Sequence, residues 1–65
     1  MEVYRHYHRA MFGTALRLVK NRERAEELMH DGFIEAFRKL DRFKGDSSFG
    51  AWLKRIVVNK CLDEL

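Results

Sequence analysis

A chain of 65 residues forms only one small domain, and a domain of this length buries only roughly 60% of the surface that its unfolded form exposes. So few residues can hardly build the walls of a catalytic pocket and keep a core as well, which disfavours an enzyme. Hydrophobic residues make up 46% of the chain, charged residues make up 35%, and proline is absent, which predicts a folded helical domain and excludes a disordered tail.

The net charge of +3 is distributed unevenly along the chain. Residues 1–20 carry four basic side chains against one acidic side chain, whereas residues 21–40 carry four basic against five acidic. Residues 41–65 carry five basic against four acidic. A protein that binds only nucleic acid tends to be basic throughout. We therefore expect two surfaces with different partners.

Cysteine content and hydropathy indicate the compartment. Cys61 is the only cysteine, so no internal disulfide can form, and a reducing cytoplasm is predicted. The first five residues lack the apolar stretch of a signal peptide, and the apolar run at residues 56–58 is far shorter than the roughly 20 residues that span a bilayer. We expect a cytoplasmic protein with no membrane partner.

The first predicted helix covers about residues 2–20. Its apolar residues recur at steps of three and four, the spacing that lines one face of a helix. They are Tyr4, Tyr7, Met11, Phe12, Ala15, Leu18 and Val19. Asn21 is predicted to cap the next helix, because its side-chain carbonyl can accept a hydrogen bond from a free backbone N–H of the first turn.

The second predicted helix covers about residues 22–40 and the third about residues 48–65, with a loop over residues 41–48 between them. The apolar stripes are Ala25, Leu28, Met29, Phe33, Ala36, Phe37 and Leu40, then Phe49, Trp52, Leu53, Ile56, Val57 and Cys61. Gly45 interrupts the helical pattern, Ser47 and Ser48 are candidate N-caps, and Phe43 is expected to hold the loop against the core. The predicted fold is all-α: one compact three-helix bundle over residues 1–65.

Several chemical interpretations are disfavoured by spacing. His6 and His8 diverge by about 200° on a helix and cannot share a metal ion, so we expect no metal site and no cofactor. Cys61 lies on an apolar stripe with no basic partner, which favours a structural thiol over a nucleophile. Trp52 could stack on unpaired bases, but its place on a core stripe favours packing.

Two surfaces are candidates for binding. On the second helix, Glu27, His30, Asp31 and Ile34 share one face, an acidic strip with an apolar member, for which a merely solvated surface is the alternative. On the third helix, Arg55, Asn59 and Asp63 recur every four residues beside Lys44 and Lys54. Arginine and lysine can hold phosphates, and asparagine can pair with a base edge.

The order of motifs resembles conserved region 2 of bacterial RNA polymerase sigma factors, most of all their extracytoplasmic-function subgroup. The motifs are the acidic helix from Ala25, the Asp41-Arg42-Phe43 corner, the Gly45-Asp46-Ser47-Ser48 loop and the helix Phe49-x-x-Trp52-Leu53-x-Arg55-Ile56. The resemblance covers essentially the whole chain. His30 stands where glutamine is usual in this family, and Gly32, Gly50 and Lys60 are also less usual.

This resemblance implies two partners. The first is the β′ subunit of the RNA polymerase core, whose clamp helices would dock on Glu27, His30, Asp31 and Ile34. The second is promoter DNA, the non-template strand of the minus-ten element. The DNA-binding residues that the resemblance implies are Lys44, Asp46, Ser47 and Ser48 in the loop and Arg55, Asn59 and Asp63 on the third helix. The second DNA-binding domain of such factors, region 4, is expected to be absent from this chain.

Two rival functions are left open by the sequence. One is a helical protein-interaction domain held by an anti-sigma regulator, for which DNA contact would be secondary. Another is a helix-turn-helix module that binds duplex DNA, which needs a short tight turn before its recognition helix. The eight-residue loop before Phe49 disfavours it.

Overall fold

The computed structural model describes residues 2–45 and 47–65, which contain three α-helices and no strand. Helix α1 spans Glu2–Val19, α2 spans Arg22–Arg38 and α3 spans Phe49–Glu64, with a 3₁₀ turn at Leu40–Arg42 between α2 and α3. Each helix packs against the other two. The predicted three-helix bundle is thereby confirmed.

Local capping sets the helix boundaries. The Asn21 side chain accepts a hydrogen bond of 2.9 Å from the Arg24 N–H, and the Ser48 hydroxyl oxygen accepts one of 3.1 Å from the Ala51 N–H. Both capping predictions are confirmed. Between α1 and α2, Lys20 adopts a left-handed conformation with φ of 57°, which ends α1 and turns the chain towards α2.

The core lies along the line where the three helices meet. Its buried members are Met11, Ala15, Ala25, Leu28, Met29, Phe33, Ala36, Leu53, Val57 and Cys61, all from the predicted apolar stripes. The prediction that Leu40 belongs to the buried stripe was wrong. Leu40 is 48% exposed, because α2 ends at Arg38 and the chain then turns away from the core. Cys61 is fully buried, as its place in the stripe predicted.

Helices α2 and α3 approach closely at Gly32. A Cβ atom built on Gly32 would lie 2.6 Å from the Cγ2 atom and 3.2 Å from the Cα atom of Val57. Only glycine allows this separation, because any side chain would overlap Val57. This contact fixes the spacing between the helix that carries the acidic strip and the helix that follows the loop.

An aromatic cluster, formed by Tyr7, Phe43, Phe49 and Trp52, connects the loop to the bundle. The ring centroid of Phe43 lies 5.2 Å from that of Trp52 and 5.7 Å from that of Phe49, and Tyr7 of α1 lies 5.6 Å from Phe49. Phe43 thus holds the loop against the core, as predicted. None of the helices in the described part of the chain is both long and apolar enough to cross a membrane.

Candidate docking surface and nucleic-acid cleft

The acidic strip of α2, formed by Glu27, His30, Asp31 and Ile34, lies on the face opposite the buried stripe of that helix. Residues three and four positions apart are neighbours on a helix surface, so one regular helix brings these four side chains together. The Glu27 side chain is 65% exposed and Ile34 is 55% exposed, while His30 is half-buried. The strip combines carboxylates with an accessible apolar side chain.

An ion-pair network connects the strip to the end of α3. The Arg24 guanidinium lies 2.7 Å from a carboxylate oxygen of Glu27 and makes two hydrogen bonds to Glu64, from Nε at 2.9 Å and from Nη2 at 2.5 Å. The hydrogen bond from Arg24 holds the pKa of Glu64 below its usual range. Arg24 therefore restrains Glu27 and joins α2 to α3 across 40 positions of sequence.

A second ion-pair network lies beside the other end of the strip. Glu35 of α2 accepts from Lys60 at 2.7 Å and from Lys39 at 3.1 Å. These hydrogen bonds, chiefly the one from Lys60, hold the pKa of Glu35 below its usual range. Together with Asp31, Ile34 and Arg38, Glu35 and Lys60 line a shallow depression in the surface.

His30, a residue of α2, also contacts α1. Its Nε2 atom lies 2.7 Å from the hydroxyl oxygen of Tyr4, a hydrogen bond between residues 26 positions apart. On its outer side, His30 lines a shallow concavity with Glu23, Glu26 and Glu27. One ring nitrogen of His30 is therefore occupied within the fold, while the residue itself contributes to the acidic surface.

The candidate nucleic-acid site is a cleft of about 350 Å³ between the loop and the start of α3, here called the basic cleft. It is lined by Arg42, Phe43, Lys44, Ser47, Trp52 and Arg55. The structure thus brings together three of the residues that the resemblance implied for DNA binding: Lys44, Ser47 and Arg55.

The positive charges of the basic cleft have no salt-bridge partner among the described residues. None of the salt bridges among the described residues involves Arg42, Lys44 or Arg55. The half-buried Trp52 supplies an aromatic wall beside these cations. This arrangement of guanidinium, ammonium, hydroxyl and indole groups suits a ligand that has both an anionic and a planar aromatic part.

The other residues implied for DNA binding lie outside the basic cleft. The Ser48 hydroxyl caps α3, and Asn59 and Asp63 are exposed one and two turns beyond Arg55 on the same face of that helix. Asp46 lies outside the described residues. The cleft and the outer face of α3 are therefore two parts of one candidate surface.

Sequence reasoning did not assign Arg42, Phe43 or Trp52 to the candidate nucleic-acid surface. Phe43 and Trp52 were assigned to packing, and the structure shows that both pack in the aromatic cluster and also line the cleft. Two aromatic residues next to a basic loop were the sequence signal that could have indicated a role in the cleft. The ion pairs of Arg24 and Glu35 to α3 had no sequence signal, because their partners are distant along the chain.

The described parts of the chain contain no cluster of metal-binding side chains, and their cysteine is buried. Within residues 2–45 and 47–65, no three His, Cys, Asp or Glu side chains converge in a way that would hold a metal ion. Burial raises the pKa of the Cys61 thiol, which keeps the sulfur protonated and unreactive in the core.

Comparison with known proteins adds independent findings. Residues 3–65 match the family model described as sigma-70 region 2. The RNA polymerase sigma-H factor of Pseudomonas aeruginosa is 36% identical over 59 residues, which cover 91% of this chain and 31% of that protein. The ECF RNA polymerase sigma factor SigM of Mycobacterium tuberculosis is 34% identical over 64 residues, 98% of this chain and 33% of that protein.

Another match covers fewer residues at a higher sequence identity. The ECF RNA polymerase sigma-E factor of Escherichia coli is 52% identical over 33 residues, which cover 51% of this chain and 17% of that protein. The chain spans about a third of the length of the sigma-H and SigM relatives. No solved structure matches it significantly.

Proposed function

Because the chain belongs to the sigma-70 region 2 family and matches extracytoplasmic-function members of it, we propose that it acts in the initiation of transcription. In this proposal the acidic strip binds the clamp helices of the RNA polymerase β′ subunit. The basic cleft and the outer face of α3 bind the non-template strand of the minus-ten promoter element. The chain itself catalyses no reaction, and the polymerase core supplies the catalysis.

The composition of the acidic strip supports a basic helical partner. Carboxylates of Glu27 and Asp31 attract lysine and arginine side chains, which speeds encounter and sets orientation, while the exposed Ile34 provides apolar area for the contact. Arg24 restrains the Glu27 side chain, so less conformational entropy is lost when the partner binds.

The observation that carries the DNA proposal is the basic cleft beside Trp52, whose cationic side chains form no salt bridge with another described residue. Its volume of about 350 Å³ lies at the lower end of the range of small-molecule sites, and we propose that it takes one unstacked base. An unstacked base is bound by stacking on aromatic side chains and by hydrogen bonds to its edges. Lys44 and Arg55 would hold the adjoining phosphates and Ser47 would hydrogen-bond in the cleft.

The outer face of α3 extends this surface along the strand. Asn59 has an amide that donates and accepts, so it can discriminate between base edges, whereas Asp63 can accept from an exocyclic amino group. Ser48 would contribute through the hydroxyl proton that its capping role leaves available. Asp46 completes the set that the family resemblance implies.

The proposal is tested by fluorescence titration with a panel of single-stranded DNA decamers, with and without a β′ clamp-helix fragment. Because the net charge is only +3, we expect weak binding by the chain alone and tighter, sequence-dependent binding when the clamp-helix fragment is present. Equal affinity for all decamers in the presence of the fragment would contradict minus-ten recognition.

Exposed apolar side chains support an anti-sigma regulator as a further partner. Ile34 of α2 and Leu40 of the 3₁₀ turn are 55% and 48% exposed, and a protein ligand could cover either side chain. If the chain bound a regulator but no DNA in the titration above, the protein-interaction function would replace the promoter function.

A further inference from the structure

The Tyr4 hydroxyl is held in a fixed position by the packing of its ring. The ring stacks on His8 with centroids 5.1 Å apart and planes 10° apart, and it packs against Phe33 with centroids 4.9 Å apart. Phe33 is buried in the core, so the tyrosine ring has contacts on two sides. The hydroxyl is thereby directed at the Nε2 atom of His30, 2.7 Å away.

The chemistry of the two groups determines which of them donates this hydrogen bond. A phenol O–H is a good donor and a poor acceptor, whereas neutral imidazole has one strongly accepting nitrogen. The favourable arrangement has the Tyr4 hydroxyl donating to Nε2 of His30. The single ring proton of neutral His30 is then on Nδ1, because the hydrogen bond at one nitrogen sets the state of the other.

The remaining nitrogen of His30 is available to a partner. Nδ1 lies across the ring from Nε2 and makes no hydrogen bond among the described residues. None of their buried side-chain polar atoms lacks a partner, so Nδ1 is accessible from the surface. The surface of His30 borders the concavity formed with Glu23, Glu26 and Glu27, all of them carboxylates that can only accept when ionised. Neutral His30 in the Nδ1–H form would add a hydrogen-bond donor to this otherwise accepting surface.

We propose that Tyr4 is a positioning residue that fixes His30 in the Nδ1–H tautomer, so that the acidic strip presents one N–H donor to an acceptor on the docked partner. The inference rests on the proposed function of the strip as the polymerase-docking surface. The chemistry it demands of the partner is a carbonyl or carboxylate oxygen opposite His30, set among the basic groups that face the carboxylates.

The tautomer is measured directly by two-bond ¹H–¹⁵N correlation spectra of the histidine rings, at a pH about 1.5 units above the ordinary histidine pKa of about 6.5. Free neutral histidine favours the Nε2–H form, so the exposed His6 serves as an internal reference. We expect His30 to show a protonated Nδ1 and an unprotonated Nε2. A protonated Nε2 at His30 would overturn the proposal.

Matched variants separate this role from a merely structural one. Tyr4→Phe should shift His30 towards the Nε2–H form, whereas Tyr7→Phe, the same change one turn along α1, should leave its spectrum unchanged. Tyr4→Phe should also weaken binding of a β′ clamp-helix fragment by roughly two- to tenfold, the effect of one hydrogen bond. In a His30→Gln background, whose amide donates without help from Tyr4, Tyr4→Phe should leave the affinity unaltered.

The two parts of the experiment distinguish two failures. If the wild-type chain does not bind the clamp-helix fragment, the docking function is wrong, while the ring spectra still decide the tautomer. If the fragment binds but Tyr4→Phe weakens it equally in the wild-type and His30→Gln backgrounds, Tyr4 acts through packing and the positioning role is overturned.

Discussion

The acidic strip and the basic cleft differ in what holds their side chains together. All four residues of the strip lie on α2, so helix periodicity alone makes them neighbours. The cleft joins residues of the 3₁₀ turn, the loop and α3, and it keeps its shape because Phe43 packs on Trp52 and Phe49. We expect the strip to persist wherever α2 folds, and the cleft to depend on a few aromatic contacts.

The largest expected effect comes from reversing one charge in the strip. Asp31→Lys should weaken binding of a β′ clamp-helix fragment by about 3 kcal/mol, or more than a hundredfold, because like charges would face each other in the interface. The exposed position of Asp31 limits the change in unfolding free energy to about 0.5 kcal/mol.

Asp41→Lys is the matched control for this charge reversal. It makes the same change at an exposed position in the 3₁₀ turn, away from the strip, and should leave clamp-helix affinity unaltered. Affinity can be measured by isothermal titration and stability by urea denaturation. Unchanged affinity of Asp31→Lys would contradict the assignment of the strip.

On the candidate DNA surface, two substitutions should separate recognition of the base sequence from sequence-independent attraction to phosphates. Asn59→Ala should remove roughly 1 to 3 kcal/mol of discrimination between a matched and a scrambled minus-ten strand, because in the proposed function the amide pairs with a base edge. Lys44→Ala should weaken binding to both strands alike and reduce the salt dependence by up to about one unit of slope.

Competition between the two strands at two salt concentrations, in the presence of polymerase core, measures both quantities. Asn59 is not a recognition residue if Asn59→Ala reduces affinity for the matched and scrambled strands by the same factor. An unaltered salt slope for Lys44→Ala would likewise remove Lys44 from the phosphate contacts.

The dependence of the cleft on aromatic packing can be tested by deleting one ring. Phe43→Ala should lower the free energy of unfolding by about 1 to 2 kcal/mol, because a half-buried ring loses its contacts. It should also weaken binding of single-stranded DNA while clamp-helix affinity stays the same.

Phe37→Ala provides the comparison, since it removes another half-buried ring that packs on Phe33, away from the loop. It should lower stability by a similar amount and leave DNA affinity intact at temperatures where both variants are folded. Equal loss of DNA affinity in both variants would show that the cleft does not depend on Phe43 specifically.

A pair of glycine substitutions tests the core that supports both surfaces. Gly32→Ala should lower the free energy of unfolding by about 1 kcal/mol, since overlap with Val57 costs more than the gain in helix propensity. Apart from its neighbours along α1, no described atom lies within 4 Å of a Cβ placed on Gly13, so Gly13→Ala should raise that free energy by about 1 kcal/mol. Chemical denaturation of the two variants should give opposite signs, and the same sign would contradict the close contact of α2 with α3.

The smallest expected effect is a pH dependence of stability from the ion pairs of α2 with α3. The pKa values of Glu35 and Glu64 are lower in the folded chain than the ordinary glutamate value of about 4.3. The folded state therefore binds fewer protons, and the stabilisation is present above that value and is lost as pH falls through the lower folded-state pKa values.

Denaturant midpoints between about pH 7 and pH 3 measure this dependence around the ordinary glutamate pKa. Glu64→Gln should flatten the decrease at low pH, since its side chain can no longer lose a proton to pair with Arg24. Glu23→Gln, at an exposed site without a salt bridge among the described residues, should leave the profile unaltered. A decrease of equal size in Glu64→Gln and the wild type would contradict the contribution of this ion pair.

Much of the fold could be predicted because it is encoded in short stretches of chain. Helix periodicity identified α1, α2 and α3, and the capping side chains of Asn21 and Ser48 act on backbone groups only three residues away. The residues of the acidic strip are likewise close together in sequence, within a single helix. Where the prediction was wrong, at Leu40, the cause was an early end of α2 that leads the chain towards the contact of Phe43 with α3.

The number of helices, their apolar faces and the membership of the strip follow from the order of amino acids alone, because those features depend on residues one or two turns apart. Helix packing was needed to show that Tyr4 contacts His30, that Arg24 pairs with Glu64, and that Trp52 lines a cleft with Lys44 and Arg55. These partners come from different elements of the fold. Their meeting depends on how the helices pack against one another, which no local pattern encodes; the close approach of α2 to α3, for example, is set where Gly32 meets Val57.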